Sequence, residues 1–201
     1  MGLSPFKGPD QILDIGMSKT EQDYAALQSE VKSEFPDFKI INKSDSTLMK
    51  VIDVTLKIIT FGQQKTFMTG FITTMGTTVY VNAGWDNSPV ESRLGVLRHE
   101  RVHMRQARKH GRILFSLMYL MLPAPVLFAA CRRKFEQEAY EESLKAVQEY
   151  YGDRILLDPR FRARMIAHFT SAEYFWTWPW SKSIEKWYDG TVARLVSKPS
   201  S

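Results

Sequence analysis

The chain has 201 residues, of which 44% are hydrophobic and 24% charged, which is typical of one folded domain and not of a disordered or fibrous protein. Its single cysteine, Cys131, excludes an internal disulfide and a cysteine-rich zinc site, and it favours a reducing compartment such as the cytoplasm. The net charge of +5 favours acidic or anionic partners.

The N-terminal part of the chain predicts a helix followed by a short strand. Ser18 or Thr20 is suited to cap a helix that extends to about Phe35. Residues 38–43, with the sequence FKIINK, have the composition of a strand.

A second helix and a β-hairpin are predicted next. The apolar spacing of residues 46–62 indicates a helix that Gly62 ends. Two runs rich in Thr, Val, Tyr and Phe follow at residues 65–73 and 77–85, and Gly76 lies between them. We therefore expect a small antiparallel sheet directly before the next helix.

That next helix has clear predicted boundaries. Ser88 can cap its N-terminus, Pro89 fits the first helical position, and Glu91 stands where a capping box needs an acid. Gly111 is suited to end it.

Within this helix, the stretch RHERVHMRQ contains the pattern H-E-x-x-H, formed by His99, Glu100 and His103. A helix turns 100° per residue, so the two histidines lie about 40° apart and can reach one ion. Glu100 lies about 100° from His99, where it can contact a metal-bound water without binding the metal. The pattern predicts a zinc site; the alternative is two histidines that are only polar groups of a helix.

A third ligand is needed, and several candidates fail. The metzincin pattern requires a glycine and a third histidine where this chain has Gln106 and Lys109. His110 follows His103 by about two turns, roughly 10 Å along the axis, which is too far to share the ion. His168 is distant in sequence and is more simply a structural residue.

The best candidate lies on a further helix, expected over about residues 133–151. Glu136 shares a face of that helix with apolar and small residues, whereas Glu138 points to the opposite side. A buried carboxylate is costly unless it is paired or bound to a metal, so Glu136 is the predicted third ligand. Glu138 is the second choice, because Glu142 follows it by one turn.

HERVH followed by FEQEAY resembles the gluzincin class of zinc metallopeptidases, in which a glutamate of a second helix lies within E-x-x-A-[D/N]. Glu136 and Ala139 match that pattern, and Tyr140 occupies the position of the usual Asp or Asn. The resemblance covers about residues 66–151. It implies a gluzincin-like core in which His99, His103 and Glu136 hold Zn²⁺.

The resemblance also implies a mechanism. Glu100 would take a proton from a zinc-bound water, which attacks a peptide carbonyl, and would pass the proton to the leaving amine. The strand around Thr77–Val81 would offer its edge to an extended polypeptide substrate. The donor to the oxyanion is left open among Tyr140, Tyr174 and His110.

Basic residues cluster around the motif helix. They suit an anionic membrane surface as partner, although a solvated helix face is the commoner explanation, and no motif supports nucleic-acid binding. The cluster comprises Arg98, Arg101, Arg105, Arg108, Lys109 and Arg112, with Arg132, Arg133 and Lys134 later in the chain.

Residues 113–131 form a run of nineteen residues without a charge, which is long enough to span a bilayer. Pro123 and Pro125 interrupt it, and the proposed ligands on either side of it must meet at one ion. We therefore expect the run to turn back, either as a hairpin buried in the domain or as a re-entrant hairpin in lipid. The buried form is preferred because it supplies core.

Together these features predict a single α+β, predominantly helical domain over residues 1–201, with a zinc core at about 66–151 and an aromatic-rich helical part at about 152–201. The aromatic residues of that last part, predicted to form a packed layer, are Trp176, Trp178, Trp180 and Trp187. The predicted function is zinc-dependent peptide hydrolysis, in the cytoplasm or at a membrane surface. The alternative is a non-catalytic zinc-containing structural or membrane-associated binding module.

Overall fold

The computed structural model describes residues 18–59, 61–63, 65–70, 72–111, 127–170 and 181–197, with the backbone alone for 127–132. The described chain is mostly helical with one small sheet, as predicted for an α+β protein. The elements in chain order are α1 (Lys19–Glu34), β1 (Lys39–Asn42), a 3₁₀ turn (Lys43–Asp45), α2 (Thr47–Ile59), α3 (Phe67–Gly70), β2 (Thr73–Met75), β3 (Thr78–Val81), α4 (Val90–His110), α5 (Leu127–Tyr151), α6 (Asp153–Leu156), α7 (Pro159–Thr170) and α8 (Ser181–Val196).

Helix α1 begins at the predicted cap. The Ser18 hydroxyl accepts a hydrogen bond from the Glu21 backbone N–H at 3.2 Å, and the Glu21 carboxylate accepts one from the Ser18 N–H at 2.7 Å. This capping box satisfies two N–H groups that the helix itself leaves without a partner. The helix ends before Phe35, so both boundaries are confirmed.

The sheet has three strands in the order β1-β3-β2. Strand β3 pairs in parallel with β1 and antiparallel with β2. The predicted hairpin is confirmed, but most of its first run is not a strand, because Phe67–Gly70 forms a helical turn. The predicted edge strand is also wrong: Thr78–Val81 has a hydrogen-bonded neighbour on both sides.

Helix α4 carries the H-E-x-x-H motif and ends where predicted. Gly111 follows its last residue with φ of 85°, a left-handed conformation that glycine adopts without strain. The predicted serine cap is wrong: Pro89 occupies the N-cap position, and the Ser88 hydroxyl donates to the Gly84 carbonyl at 3.0 Å. The turn before the helix therefore uses the hydroxyl that the first N–H groups of α4 could have bound.

Helix α5 is longer than expected and begins at Leu127, so the last residues of the uncharged run are helical. The remainder of that run, up to Val126, lies outside the described residues, and so does the predicted hairpin. Gly152, with φ of 77°, ends α5 as predicted. Among the described helices, none combines the length and the apolar character that crossing a bilayer requires.

Two apolar clusters lie on either side of the α4–α5 pair. The first joins α1 and the sheet to α4, with Val31, Val79 and Leu97 almost fully buried. The second joins α5 to α6, α7 and α8, and Trp187 packs against it. The other three tryptophans of the predicted aromatic layer lie outside the described residues. The clusters hold α4 and α5 face to face, and the candidate site lies between these two helices.

Candidate metal centre

The inner faces of α4 and α5 bring three potential metal ligands together. The Nε2 atoms of His99 and His103 are 3.0 Å apart. One oxygen of Glu136, Oε2, lies 3.6 Å from the first of these nitrogens and 3.8 Å from the second. Glu136 is only 4% exposed, so its predicted inward orientation is confirmed. Glu138 is exposed as predicted, but its carboxylate does not point away from α4, because it accepts a hydrogen bond from Gln106.

These separations suit a zinc ion. With bonds of about 2.0–2.1 Å, two ligands of a tetrahedral Zn²⁺ lie roughly 3.3 Å apart. The three measured distances, 3.0, 3.6 and 3.8 Å, lie on either side of that value. Two imidazole nitrogens and one carboxylate oxygen are also the donor set of many catalytic zinc sites, which keep a fourth position for water. In the described part of the chain, no other group of His, Cys, Asp and Glu side chains converges in this way.

The side chain of Gln106 orients His103 from behind. Its carbonyl oxygen lies 2.9 Å from His103 Nδ1 and accepts the proton there, which leaves the lone pair of Nε2 directed at the cluster. The amide nitrogen of Gln106 donates to the Phe135 carbonyl at 3.1 Å and to Glu138 at 2.9 Å. One glutamine thus fixes an imidazole on α4 relative to the backbone of α5.

His99 is oriented by groups on α5. The Ser143 hydroxyl lies 3.3 Å from His99 Nδ1, and the backbone of Ala139 makes a further hydrogen bond with the imidazole. The ring of Tyr140 meets the His99 ring edge to face, with centroids 4.7 Å apart. At the position where gluzincins usually carry Asp or Asn, this chain therefore packs an aromatic ring, and the hydrogen bonds come from neighbouring positions on the same face of α5.

With both Nδ1 atoms bonded to oxygen acceptors, the two Nε2 lone pairs and the Glu136 carboxylate point at one another. Such an arrangement is repulsive unless a cation, either a proton or a metal ion, lies among them. Burial lowers the pKa of His99, but the hydrogen bond and charge of Glu136, together with the charge of Glu100, outweigh it and raise that pKa overall. The cluster therefore attracts positive charge.

Glu100 lies beside the cluster and is not one of its members. Its side chain is 7% exposed, and its charge acts on His99 and on the buried ammonium of Lys43. Burial lowers the pKa of Lys43 to about 8, against the opposing effect of Glu100 and Asp53. The Lys43 ammonium donates to the Phe67 carbonyl at 2.7 Å. A buried carboxylate next to the ligands, outside the coordination set, is where the motif places a general base.

The two other histidines considered as ligands are exposed and are not part of the ligand cluster. His110 is exposed at the end of α4 and packs against Phe135, with ring centroids 5.2 Å apart. His168 is exposed on α7 and stacks on Tyr140 at 6.3 Å. Of the three proposed oxyanion donors, Tyr140 is the one in contact with a ligand, and Tyr174 lies outside the described residues.

The basic face of α4 is occupied by acidic side chains of the same chain. Arg101, Arg105 and Arg108 all bind the Glu34 carboxylate of α1, at 2.9, 2.7 and 3.0 Å. Arg98 binds Glu149 of α5 at 2.6 Å. These arginines hold α4 against its neighbours, which accounts for much of the local excess of positive charge.

Sequence reasoning missed Gln106 and Ser143 as supports of the histidines. A signal existed for each: Gln106 follows His103 by three residues, within reach on a helix, and Ser143 shares the face of Glu136. Comparisons with models of known protein families, with curated proteins and with solved structures each found no match. The gluzincin resemblance therefore stays a prediction that rests on the motifs themselves.

Proposed function

We propose that the protein is a zinc-dependent metallopeptidase that hydrolyses peptide bonds. The observation that carries the proposal is the convergence of His99, His103 and Glu136 within 4.8 Å of one another, with Glu100 buried beside them. A non-catalytic zinc site would need the three ligands but not a second buried carboxylate beside them.

A zinc ion bound there supplies Lewis acidity toward a water molecule and a substrate carbonyl. The side chains do the rest. Glu100 accepts the proton of the attacking water and passes it to the departing amine. Gln106 and Ser143 hold the two imidazoles at Nδ1, which directs both Nε2 atoms at the place where the ion would lie. Of the two candidates that the structure describes, Tyr140, in contact with His99, is better placed than His110 to stabilise the oxyanion.

An extended polypeptide is the substrate that the fold suits. Strand β3 is central, so β2 replaces it as the candidate strand for binding the substrate. Strand β2 packs against α4 and pairs with β3 on one side. Among the described strands, none covers the outer edge of β2 at Thr73–Met75. A peptide added to that edge would gain backbone hydrogen bonds without a requirement for particular side chains.

The decisive experiment is Glu100→Gln, which removes the base and keeps the shape of the side chain. We expect zinc content and thermal stability to stay near wild type while hydrolysis of an unfolded test protein falls by about 10²–10⁴-fold. Glu185→Gln on α8, far along the chain from the motif, is the matched control and should stay active.

Two outcomes would count against the proposal. Unchanged cleavage by Glu100→Gln would remove the glutamate from the mechanism. A wild-type protein that binds zinc stoichiometrically and cleaves no unfolded substrate would favour the non-catalytic zinc module.

A further inference from the structure

Helix α2 carries its apolar side chains on the outside of the protein. Val51, Val54 and Ile58 are more than half exposed, with Ile58 at 70%, and Phe61 directly after the helix is 96% exposed. Leu48 and Ile59 extend the same surface, which we name the α2 face and define as Leu48, Val51, Val54, Ile58, Ile59 and Phe61. On a helical projection its five helical members cover an arc of about 140°. Single exposed hydrophobic residues are common, but six on one element indicate an interaction surface.

The side of α2 that faces the protein is partly polar. Its fully buried members are Met49 and Asp53, and Asp53 acts on the buried ammonium of Lys43. The helix packs against the 3₁₀ turn and α3. It also lies in the connection between the parallel strands β1 and β3, where a crossover helix normally covers the sheet with its apolar side. Here the apolar side points the other way.

Positive charge predominates on the segment that carries the α2 face, although Asp45, two residues before α2 begins, is an exposed acid. From Ser46 to Asn82 the sequence contains one acid, Asp53, and that side chain is buried. The exposed charges in this region are Lys50, Lys57 and Lys65. Lys50 and Lys57 both border the apolar arc on the side of Val54, and Lys57 also binds Asp53 at 2.6 Å. Apolar residues bordered by lysines, on a segment where exposed lysines outnumber exposed acids, match a surface of anionic phospholipids in both hydrophobicity and charge.

We infer that α2 is an interfacial anchor that lays its apolar face on an anionic phospholipid bilayer, parallel to the membrane plane. Thirteen helical residues give a contact about 20 Å long, with Phe61 at one end. The Lys50 side chain extends toward the headgroups while the aliphatic side chains enter the boundary of the acyl region. This mode of binding needs no helix that spans the bilayer.

The anchor also places the candidate metal centre with respect to the membrane. The buried side of α2 reaches Lys43 through Asp53, and Lys43 interacts with Glu100. The site therefore lies behind the helix, on the side away from lipid. If the proposed peptidase function holds, the substrate class narrows to polypeptide segments exposed next to a membrane surface; the anchor itself does not depend on that function.

The test is co-sedimentation of the full-length protein with vesicles of phosphatidylcholine containing phosphatidylserine, beside vesicles of phosphatidylcholine alone. We expect binding to the anionic vesicles that weakens with salt, and much weaker binding to the neutral ones. Val54→Glu/Ile58→Glu should lower the partition coefficient at least about tenfold, because each charge enters the apolar contact.

Tyr151→Glu/Leu157→Glu is the matched control. These two side chains are 57% and 61% exposed and lie outside the α2 face, so the pair makes the same change in charge and a similar loss of apolar surface. The control should bind vesicles like the wild type, and both double variants should keep the wild-type melting temperature.

Four results would overturn the inference. The wild type could ignore anionic vesicles, or Val54→Glu/Ile58→Glu could bind them as well as the control does. A concentration-dependent dimer that this variant dissociates would assign the α2 face to a second copy of the chain. A fall in melting temperature confined to this variant would show that another part of the chain covers the face.

Discussion

Helices α2 and α4 are both amphipathic, and each contradicts a simple rule about which side faces inward. Helix α4 buries Glu100, His103 and Gln106 and meets Glu136 across the interface. Helix α2 buries Asp53 and exposes the aliphatic side chains of the α2 face. The polarity of its faces therefore does not by itself determine which side of a helix is buried in this protein. The groups that each face can contact also determine it.

The difference lies in what each unusual face meets. The polar residues of α4 have oriented hydrogen-bond partners on α5, which is how buried polar groups become tolerable. The six residues of the α2 face are exposed, and none of them belongs to either apolar cluster of the described residues. The polar face of α4 thus forms a site within the molecule, whereas the α2 face is a surface suited to contact with lipid.

The largest expected effect comes from removing the acid that faces α4. Glu136→Ala should weaken zinc binding by more than about 100-fold, because it deletes a ligand and not an outer support. Glu138→Ala is the control, and we expect a change of less than about tenfold, since its carboxylate reaches the histidines only through Gln106. Titration with a competing chelator measures both. The opposite ranking would mean that α5 is rotated with respect to the histidines.

A smaller effect is expected from the support behind His103. Gln106→Ala should weaken zinc binding by about 10–100-fold, because His103 Nδ1 loses the acceptor that fixes its protonation and orientation. Gln106→Glu keeps that acceptor but sets a carboxylate against the Phe135 carbonyl and Glu138, so it should recover part of the affinity. If alanine and glutamate behave alike in the same titration, the interaction is a matter of packing and not of hydrogen bonding.

The ion pairs on the outer side of α4 should make the stability of the protein depend on pH in the acid range. Hydrogen bonds from Arg105 and Arg101, with their charges, outweigh burial and lower the pKa of Glu34 to about 2 from an ordinary 4.5. A carboxylate with a lowered folded-state pKa stabilises the protein above about pH 4.5 and loses that contribution as the pH falls toward 2. Glu34→Gln should remove about 1–3 kcal/mol at pH 7 and flatten the decline in this window.

Urea unfolding at a series of pH values measures this effect. Glu30→Gln is the control, because Glu30 is mostly exposed and binds Arg101 alone. Its stability curve should keep the acid decline of the wild type, and an equal loss in both variants would show that Glu34 has no special role.

The smallest expected effect concerns the α2 face. Val51→Ser should change the free energy of unfolding by no more than about 0.5 kcal/mol, because the side chain is already in contact with solvent. Leu97→Ala, on the buried side of α4, should cost about 2–5 kcal/mol. Thermal and urea unfolding compare the two. A large loss for Val51→Ser would mean that the α2 face is covered in the folded protein.

Local patterns predicted the helix boundaries well, since caps and terminators act within a few residues. Ser18, Gly111 and Gly152 have the roles expected of them. The prediction that Ser88 caps α4 was wrong because its hydroxyl donates to another nearby group, the Gly84 carbonyl. Competition between two nearby hydrogen bonds depends on the geometry of the turn, which residue type alone does not determine.

Pairings between distant segments could not be predicted in the same way. The position of β3 depends on β1, a strand more than thirty residues earlier, and no local period reports that contact. The inward orientation of Glu136 was predictable from the helical face that it shares with apolar residues. Its role as a ligand was predicted because burying an unpaired charge is unfavourable in any fold. The groups that orient His99 could not be predicted, because Ser143 contacts its imidazole only when α4 and α5 are packed together in the native register.

The parallel pairing of β1 with β3 has a consequence for the order of synthesis. Strand β1 is synthesised before its partner Thr78–Val81, and Glu34 precedes Arg101 by 67 residues. At roughly 5–20 residues per second, the N-terminal segment waits for seconds without its native partners. During that interval α1 and β1 have neither α4 nor β3 to pack on, and nascent chains shorter than about 110 residues should be the forms that most need chaperones.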